Sequence, residues 1–191
     1  MSDWTVRALA AADWPVVEAL FGPRGACAGC WCRYWRLAGK AAWEAGKGEG
    51  NRAAFRALVE SGAATGVLAF GEGGEAVGWC AVGPRAGFER VERSRALSRA
   101  GVGEGVWSLN CFYIPAKWRG RGVARALLAG AVELALSRGA TEVEAYPVPP
   151  PASGGRVPAT FAYTGPLTMF EAAGFERVES GGKRPVVVCR R

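Results

Sequence analysis

No histidine occurs anywhere in the 191 residues. That absence excludes Ser–His and Cys–His nucleophile machinery and any imidazole metal ligand. Long apolar runs are missing too. None reaches the ~18 residues that read as a transmembrane helix. The start, Met1 to Arg7, lacks the charged head and apolar stretch of a secretory signal, so a cytoplasmic location is the expectation. Acidic residues are the minority: 17 Asp and Glu against 24 Lys and Arg give a net charge of +7. A basic balance favours an anionic partner such as nucleic acid, an anionic membrane or a phosphorylated small molecule, and charge alone does not choose among them.

What is present suits a packed domain. Half the residues are hydrophobic, and the length fits one domain spanning residues 1–191 with a real core. The six cysteines are Cys27, Cys30, Cys32, Cys80, Cys111 and Cys189. Cys80 and Cys111 fall in apolar strand patterns, so reduced thiols are expected rather than a disulfide framework.

Periodicity and punctuation give an element order. Val6 to Leu9 reads as a strand. Asp13 is placed to cap a helix carrying Val16, Val17, Leu20 and Phe21, with Gly22 as its stop. Residues 23–47 read as irregular. Asn51 is placed to cap a second helix. Gly66 to Phe70 and Glu75 to Val82 form a hairpin over Gly71 to Gly74. Pro84 to Ala100 reads as a basic, weakly helical surface segment. Val106 to Ile114 is a longer strand, and Val123 to Leu136 the best helix. Thr141 to Tyr146 is a strand, residues 147–158 are a Pro/Gly loop, and Thr164 to Ala173 is a helix stopped by Gly174. Phe175 to Val178 and Pro185 to Cys189 close the chain as strands. The fold class is therefore mixed α/β, with a mostly antiparallel sheet of about six or seven strands and about four helices.

The most informative stretch is Trp118-Arg119-Gly120-Arg121-Gly122-Val123-Ala124. It joins a strand to a helix, where free backbone N–H groups and roughly half a positive charge favour phosphate. A Walker loop needs a Gly-Lys-Ser/Thr ending, which is absent. A dinucleotide fingerprint needs a third small residue where Arg125 stands. Arg119-x-x-Gly122-x-Ala124 after Ile114-Pro115 instead resembles the Q/R-x-x-G-x-G/A signature of the GNAT acyltransferase superfamily. Met169 to Phe175, ending Ala173-Gly174-Phe175, is similar to the later Tyr-x-x-x-Gly-Phe motif of that family, and the element order resembles its fold.

The resemblance implies an acyl-CoA-dependent N-acyltransferase with acetyl-CoA as cosubstrate and an amine of a small molecule or peptide as acceptor, reacting directly in a ternary complex. It implies that Arg119, Gly120, Arg121, Gly122, Val123 and Ala124 surround the CoA pyrophosphate. Phe112, Tyr113 and Ile114 would offer the pantetheine arm backbone groups left unpaired where the central strands splay. The family often places a glutamate base where Ser108 stands; Ser108 could hold a relaying water, with Asn110 on the same face of the strand. The usual tyrosine acid position holds Phe170. Tyr163 is the nearest substitute and Tyr146 a weaker one. The thiolate could also leave unassisted, since thiols ionise near pH 8.5.

A second unusual feature runs from Cys27 to Arg36. Trp31, Cys32, Tyr34 and Trp35 are read as an acceptor pocket wall, since aromatics with arginine suit a flat or anionic group. A C-x-x-C-x-C zinc site is the competing reading, but three clustered cysteines without histidine fall short of four ligands, so no metal is expected. Plain packing of small apolar thiols is the third. At the level of function, a non-catalytic CoA sensor and a nucleic-acid binder using Arg85, Arg90, Arg93, Arg95 and Arg99 stay as alternatives. Neither nucleic acid nor membrane is the expected partner. The loop at 147–158 is a candidate contact in a homodimer.

Overall fold

A computed structural model describes residues 4–151, 157–158 and 161–190. Part of the Pro/Gly loop, and with it the expected dimer contact, lies outside the described residues. Among those described, seven strands form one sheet: β1 Thr5–Ala8, β2 Gly66–Phe70, β3 Ala76–Pro84, β4 Val106–Tyr113, β5 Glu142–Ala145, β6 Glu176–Val178 and β7 Val186–Arg190. The order across the sheet is β1-β2-β3-β4-β5-β7-β6. Only β4 and β5 pair in parallel; every other neighbour is antiparallel. The helices are α1 Trp14–Phe21, α2 Lys40–Ala45, α3 Glu49–Glu60, α4 Glu89–Glu92, α5 Val123–Ser137 and α6 Leu167–Glu171.

The parallel pair requires a crossover, and α5 supplies it. Its buried face, Val123, Leu127, Leu128, Ala131 and Ala135, repeats at helical spacing and covers one side of the sheet. Each fully buried large apolar side chain contributes roughly 1.5–3 kcal/mol. Gly130 lets α5 approach β1 closely, since a Cβ there would come 2.5 Å from Val6. The opposite side of the sheet is covered by α1 and α3 through Trp14, Val17, Phe21, Phe55 and Val59, packed on Leu68 and Trp79.

Several local expectations are corrected. Asp13 does not cap α1 with its side chain; its carboxylate turns back to accept the Ala10 N–H at 2.7 Å and both ends of the Arg7 guanidinium. Asn51 lies inside α3, not at its start, and its buried amide donates to the Gly29 and Trp43 carbonyls. The 23–47 segment is not wholly irregular, since it holds α2 and a one-turn helix at Tyr34–Arg36. Pro84 to Ala100 is not a solvated face. Phe88, Val91 and Leu97 are buried beside Trp35, Tyr146 and Val186, and Arg85 and Arg99 turn inward to Glu144. Apolar side chains at three positions, plus a carboxylate to pair with, outweigh the helix-weak and basic composition that suggested a surface.

Candidate active site

The site grows from a single irregularity in β4. Ala81 pairs with Cys111 and Val82 with Leu109, so Asn110 is an extra residue, a β-bulge. The bulge shifts the alternation of faces. Trp107 and Leu109 point to the α5 side, as do Phe112 and Ile114, three and five residues beyond Leu109. Cys111 and Tyr113 point to the α1 side. Pairing between β4 and β5 stops at Leu109–Ala145, whereas β3 follows β4 to Tyr113. The two parallel strands thus part after Leu109, as expected. The freed edge is partly used: the Phe112 N–H donates to the Tyr163 carbonyl at 2.6 Å. That corrects the expectation of an unpaired amide at Phe112, because the segment before α6 folds back against the strand.

Past the open edge lies the glycine turn. Gly120 and Gly122 have φ of +74° and +88°, the left-handed region in which a Cβ is unfavourable. Gly122 is the N-cap of α5, with Val123 buried beneath it. No backbone acceptor takes the N–H groups of residues 120–124 among the described residues, as expected for the first turn of a helix. The turn is braced from outside. The Trp4 indole donates to the Arg121 carbonyl at 3.0 Å, Trp4 packs edge-on to Trp118 at 5.7 Å, and the Arg121 guanidinium lies 5.3 Å from the Trp118 ring centre. Arg119 donates to the Ile114 carbonyl at 2.8 Å. Beside it a cavity of about 560 Å³, whose lining includes Phe21, Arg24, Tyr113, Lys117 and Arg119, separates the end of α1 from the turn.

Behind the bulge runs a buried polar chain. Asn110 Nδ2 lies 3.5 Å from Ser108 Oγ, which lies 2.8 Å from the Tyr146 hydroxyl, which donates to Glu144. Glu144, wholly buried, is clamped by Arg85 Nε at 2.6 Å and Arg99 Nε at 2.8 Å. Arg99 also binds Glu142, which Arg190 reaches at 2.5 Å. Glu142 therefore closes an ion network. Burial first, then the Glu144 charge and its hydrogen bond, push the Tyr146 phenol well above the tyrosine range, so it keeps its proton. With Tyr146 donating to Glu144, Ser108 is the donor to Tyr146. Asn110 Oδ1 is buried with no partner among the described residues.

The remaining residues singled out in the sequence separate into two groups. Tyr34, Trp35 and Tyr163 come together: Tyr34 and Trp35 lie 6.3 and 6.4 Å from Tyr163 between ring centres, and Trp35 packs 5.9 Å from Tyr146. Burial raises the Tyr163 phenol to about 12, with the neighbouring Tyr34 adding to the shift. Trp31, by contrast, is no pocket wall. It is buried against Trp14 and Phe21, because a φ of +45° turns it inward. Cys32, also in the left-handed region, is buried with it and accepts the Trp79 indole N–H at 3.3 Å. The neighbouring Cys111 thiol, helped by Arg36, Trp79 and Arg33, lowers the Cys32 thiol to about 7 against the cost of burial. The same pairing, with burial, drives Cys111 well up. Phe170, in the usual tyrosine position, is core: its ring lies 5.2 Å from Phe175 and 6.2 Å from Phe112.

Three of the five arginines in the basic run are spent on carboxylates. Arg85 and Arg99 pair with Glu144, and Arg93 with Glu89. Among the described residues no group of three or more Cys, Asp or Glu is arranged to hold a metal, and no helix is long and apolar enough to cross a membrane. Sequence reasoning missed Glu144, and with it the inward role of Arg85 and Arg99. The acid sits in a short strand with a neighbour of like charge two residues away, and nothing in the sequence says which arginines will face it.

Residues 33–150 match the Acetyltransferase (GNAT) family, and the chain belongs to that family. Solved structures of the same fold include the PaiA N-acetyltransferase of Thermoplasma acidophilum in complex with coenzyme A. It is 12% identical with a TM-score of 0.55, covering 99% of each chain. A phosphinothricin acetyltransferase of Sinorhizobium meliloti in complex with AcCoA is 18% identical over all of this chain and 89% of that one, with a TM-score of 0.55. The Escherichia coli N-acetyltransferase YhbS, in complex with CoA, is 16% identical over all of this chain and 82% of that one, with a TM-score of 0.54. No curated protein matches the chain.

Proposed function

We propose that this protein is an N-acetyltransferase that uses acetyl-CoA and transfers the acetyl group directly to an amine in a ternary complex. The observation that carries the reading is the junction of two features: β4 and β5 part at Leu109, and the unpaired amides of residues 120–124 face outward at the N-terminus of α5 beyond them. CoA-bound relatives of the same fold support it. In this reading the amides of Gly120 to Ala124 hold the pyrophosphate, with charge from Arg119 and Arg121. Ile114 and Tyr113 border the pantetheine arm. The cavity beside Arg24, Lys117 and Arg119 takes the phosphorylated adenosine end.

The amine nitrogen attacks the thioester carbonyl carbon, a backbone N–H at the bulge stabilises the oxyanion, and the C–S bond breaks as the carbonyl re-forms. Asn110 Oδ1, buried and lacking a donor, accepts an amine N–H and orients the nucleophile. Ser108 positions Asn110 and is itself fixed through Tyr146 to Glu144. No free carboxylate stands at the Ser108 position, so the ammonium form loses its proton to water before attack. Tyr163 is held near the reacting edge by its carbonyl on Phe112. With its phenol at about 12 and a thiol near 8.5, outright proton transfer to the thiolate is uphill by about 5 kcal/mol. Tyr163 therefore hydrogen-bonds the departing sulfur, which takes its proton from solvent.

Calorimetric titration with acetyl-CoA, followed by thiol release on adding a broad panel of amines, tests the reading. Saturable binding and release of one thiol per amide formed are expected. Absence of binding at millimolar acetyl-CoA would sink it. Binding without thiol release from any amine would instead mark a CoA sensor, the second reading, which the serine at position 108 favours.

A further inference from the structure

The segment around Trp35, away from the glycine turn, carries an excess of unmatched donors. Arg33 Nε, Arg36 Nε and Nη2, Arg90 Nη2 and the Trp35 indole N–H are all shielded from solvent, and none has a hydrogen-bond partner among the described residues. None of Arg33, Arg36, Arg90 and Arg184 has a carboxylate within ion-pair distance among those residues, whereas Arg7, Arg52, Arg85 and Arg99 all do. Burial opposes the charge on Arg33 and Arg36, the neighbouring Cys32 offsets part of that cost at both, and Arg33 adds repulsion at Arg36. Guanidinium groups stay charged throughout the working range, so neutralisation by proton loss is closed to them. An uncompensated buried charge is strongly unfavourable.

Aromatic rings border these donors. The Arg90 guanidinium lies 4.0 Å from the Tyr34 ring centre and its Nε donates to the Tyr34 carbonyl. Arg184 lies 5.8 Å from the Trp35 ring centre, and Arg36 lies 4.7 Å from that of Phe88. Trp35 in turn packs on Tyr146, which fixes Ser108 and through it Asn110. Donors without an acceptor therefore gather around Tyr34 and Trp35, and an acceptor without a donor, Asn110 Oδ1, lies at the far end of the chain from Trp35 through Tyr146 and Ser108. The Cys32 thiol, whose titration Arg33 and Arg36 influence, does not satisfy these donors. It accepts the Trp79 indole N–H and none of these donors.

We infer that the acceptor is an amine that also bears an oxyanion, a carboxylate or phosphorus oxyacid, and that Arg33 and Arg36 bind that oxyanion beside Trp35 while the amine lies at Asn110. The inference rests on the acetyltransferase reading and names its substrate class. Bidentate guanidinium–oxyanion pairing supplies both charge and orientation.

The test pairs each of a set of α-amino acids and aminophosphonates with its uncharged amide or ester, at saturating acetyl-CoA, and follows thiol release. The expected result is a kcat/KM at least 100-fold higher for one or more anionic amines than for the neutral counterpart. Arg36→Gln and Arg33→Gln should each collapse that ratio toward one, chiefly through KM, with acetyl-CoA binding measured to verify folding. Equal rates for the anionic and neutral forms, or no turnover of any anionic amine, overturn the inference. Loss of acetyl-CoA binding by the unaltered protein is a separate result, and it brings down the acetyltransferase reading instead.

Discussion

The Tyr146 hydroxyl lies 2.8 Å from Ser108 Oγ and donates to the wholly buried Glu144, so a serine on β4 is tied to a carboxylate on the adjacent strand. Removing the hydroxyl leaves Glu144 short of a donor and Ser108 short of an acceptor. Tyr146→Phe should destabilise the fold by about 1–3 kcal/mol in urea denaturation. It should also raise KM for the amine, since Asn110 loses its anchor. A pH dependence follows as well. Because the folded-state phenol lies above its unfolded value, its contribution is complete below about pH 10 and is lost as pH rises past that point. The Phe variant should show a flatter alkaline limb; unchanged alkaline unfolding would mean that Tyr146 does not titrate as described.

Glu144 itself carries the larger effect. It neutralises Arg85 and Arg99, which are nearly buried. Glu144→Gln keeps the shape but leaves Arg85 with Glu92 alone and Arg99 with Glu142 alone, and should destabilise by about 2–3 kcal/mol. Thermal unfolding of Glu144→Gln beside the double variant Glu144→Gln/Arg99→Met checks the cause. Partial recovery in the double variant is expected; a further loss would refute charge imbalance as the reason.

At the glycine turn, Gly122→Glu should abolish acetyl-CoA binding in calorimetry. A side chain at φ +88° is strained, and a carboxylate would sit where the phosphates bind. Gly122→Ala isolates the backbone term and should weaken binding less. Retained affinity in the Glu variant would place the pyrophosphate elsewhere.

The thiol pair gives a spectroscopic test. Thiolate absorbance should rise with a midpoint at about pH 7, from Cys32, and vanish in Cys32→Ser. Since the folded-state value is depressed, the linked stability is present above the ordinary thiol value of about 8.5 and is lost as pH falls through about 7. Trp79→Phe removes an indole donor and should move the midpoint upward. A midpoint unmoved in that variant would assign the shift to Cys111 and the arginines alone.

Tyr163→Phe should lower kcat by about tenfold, in line with loss of one hydrogen bond to the departing sulfur. The shape of the pH–rate profile should not change. Loss of an alkaline limb would show that Tyr163 transfers its proton.

The order of the strands, four of the six helices and the glycine turn were legible because each is local, whereas the parting of β4 from β5 was implied only by the family resemblance, and the short α2 and α4 left no periodic mark. Alternation, helical spacing and left-handed glycines leave marks within a few residues. Asp13 and Asn51 looked like caps for the same local reason, yet their side chains turned to Arg7 and to the Gly29 and Trp43 carbonyls, partners that spacing does not reveal. Trp31 read as a pocket residue by composition and became core because its backbone turns it toward Trp14.

By itself, then, the sequence determined the α/β layout and the left-handed glycine turn that opens α5, since both depend on backbone conformations that neighbouring residues impose. Only the tertiary structure decided which arginines are spent on Glu142 and Glu144 and which stand unmatched around Tyr34 and Trp35. Charges that lie far apart along the chain meet only when the sheet forms. Their pairing is a matter of distance and burial, which no stretch of sequence encodes.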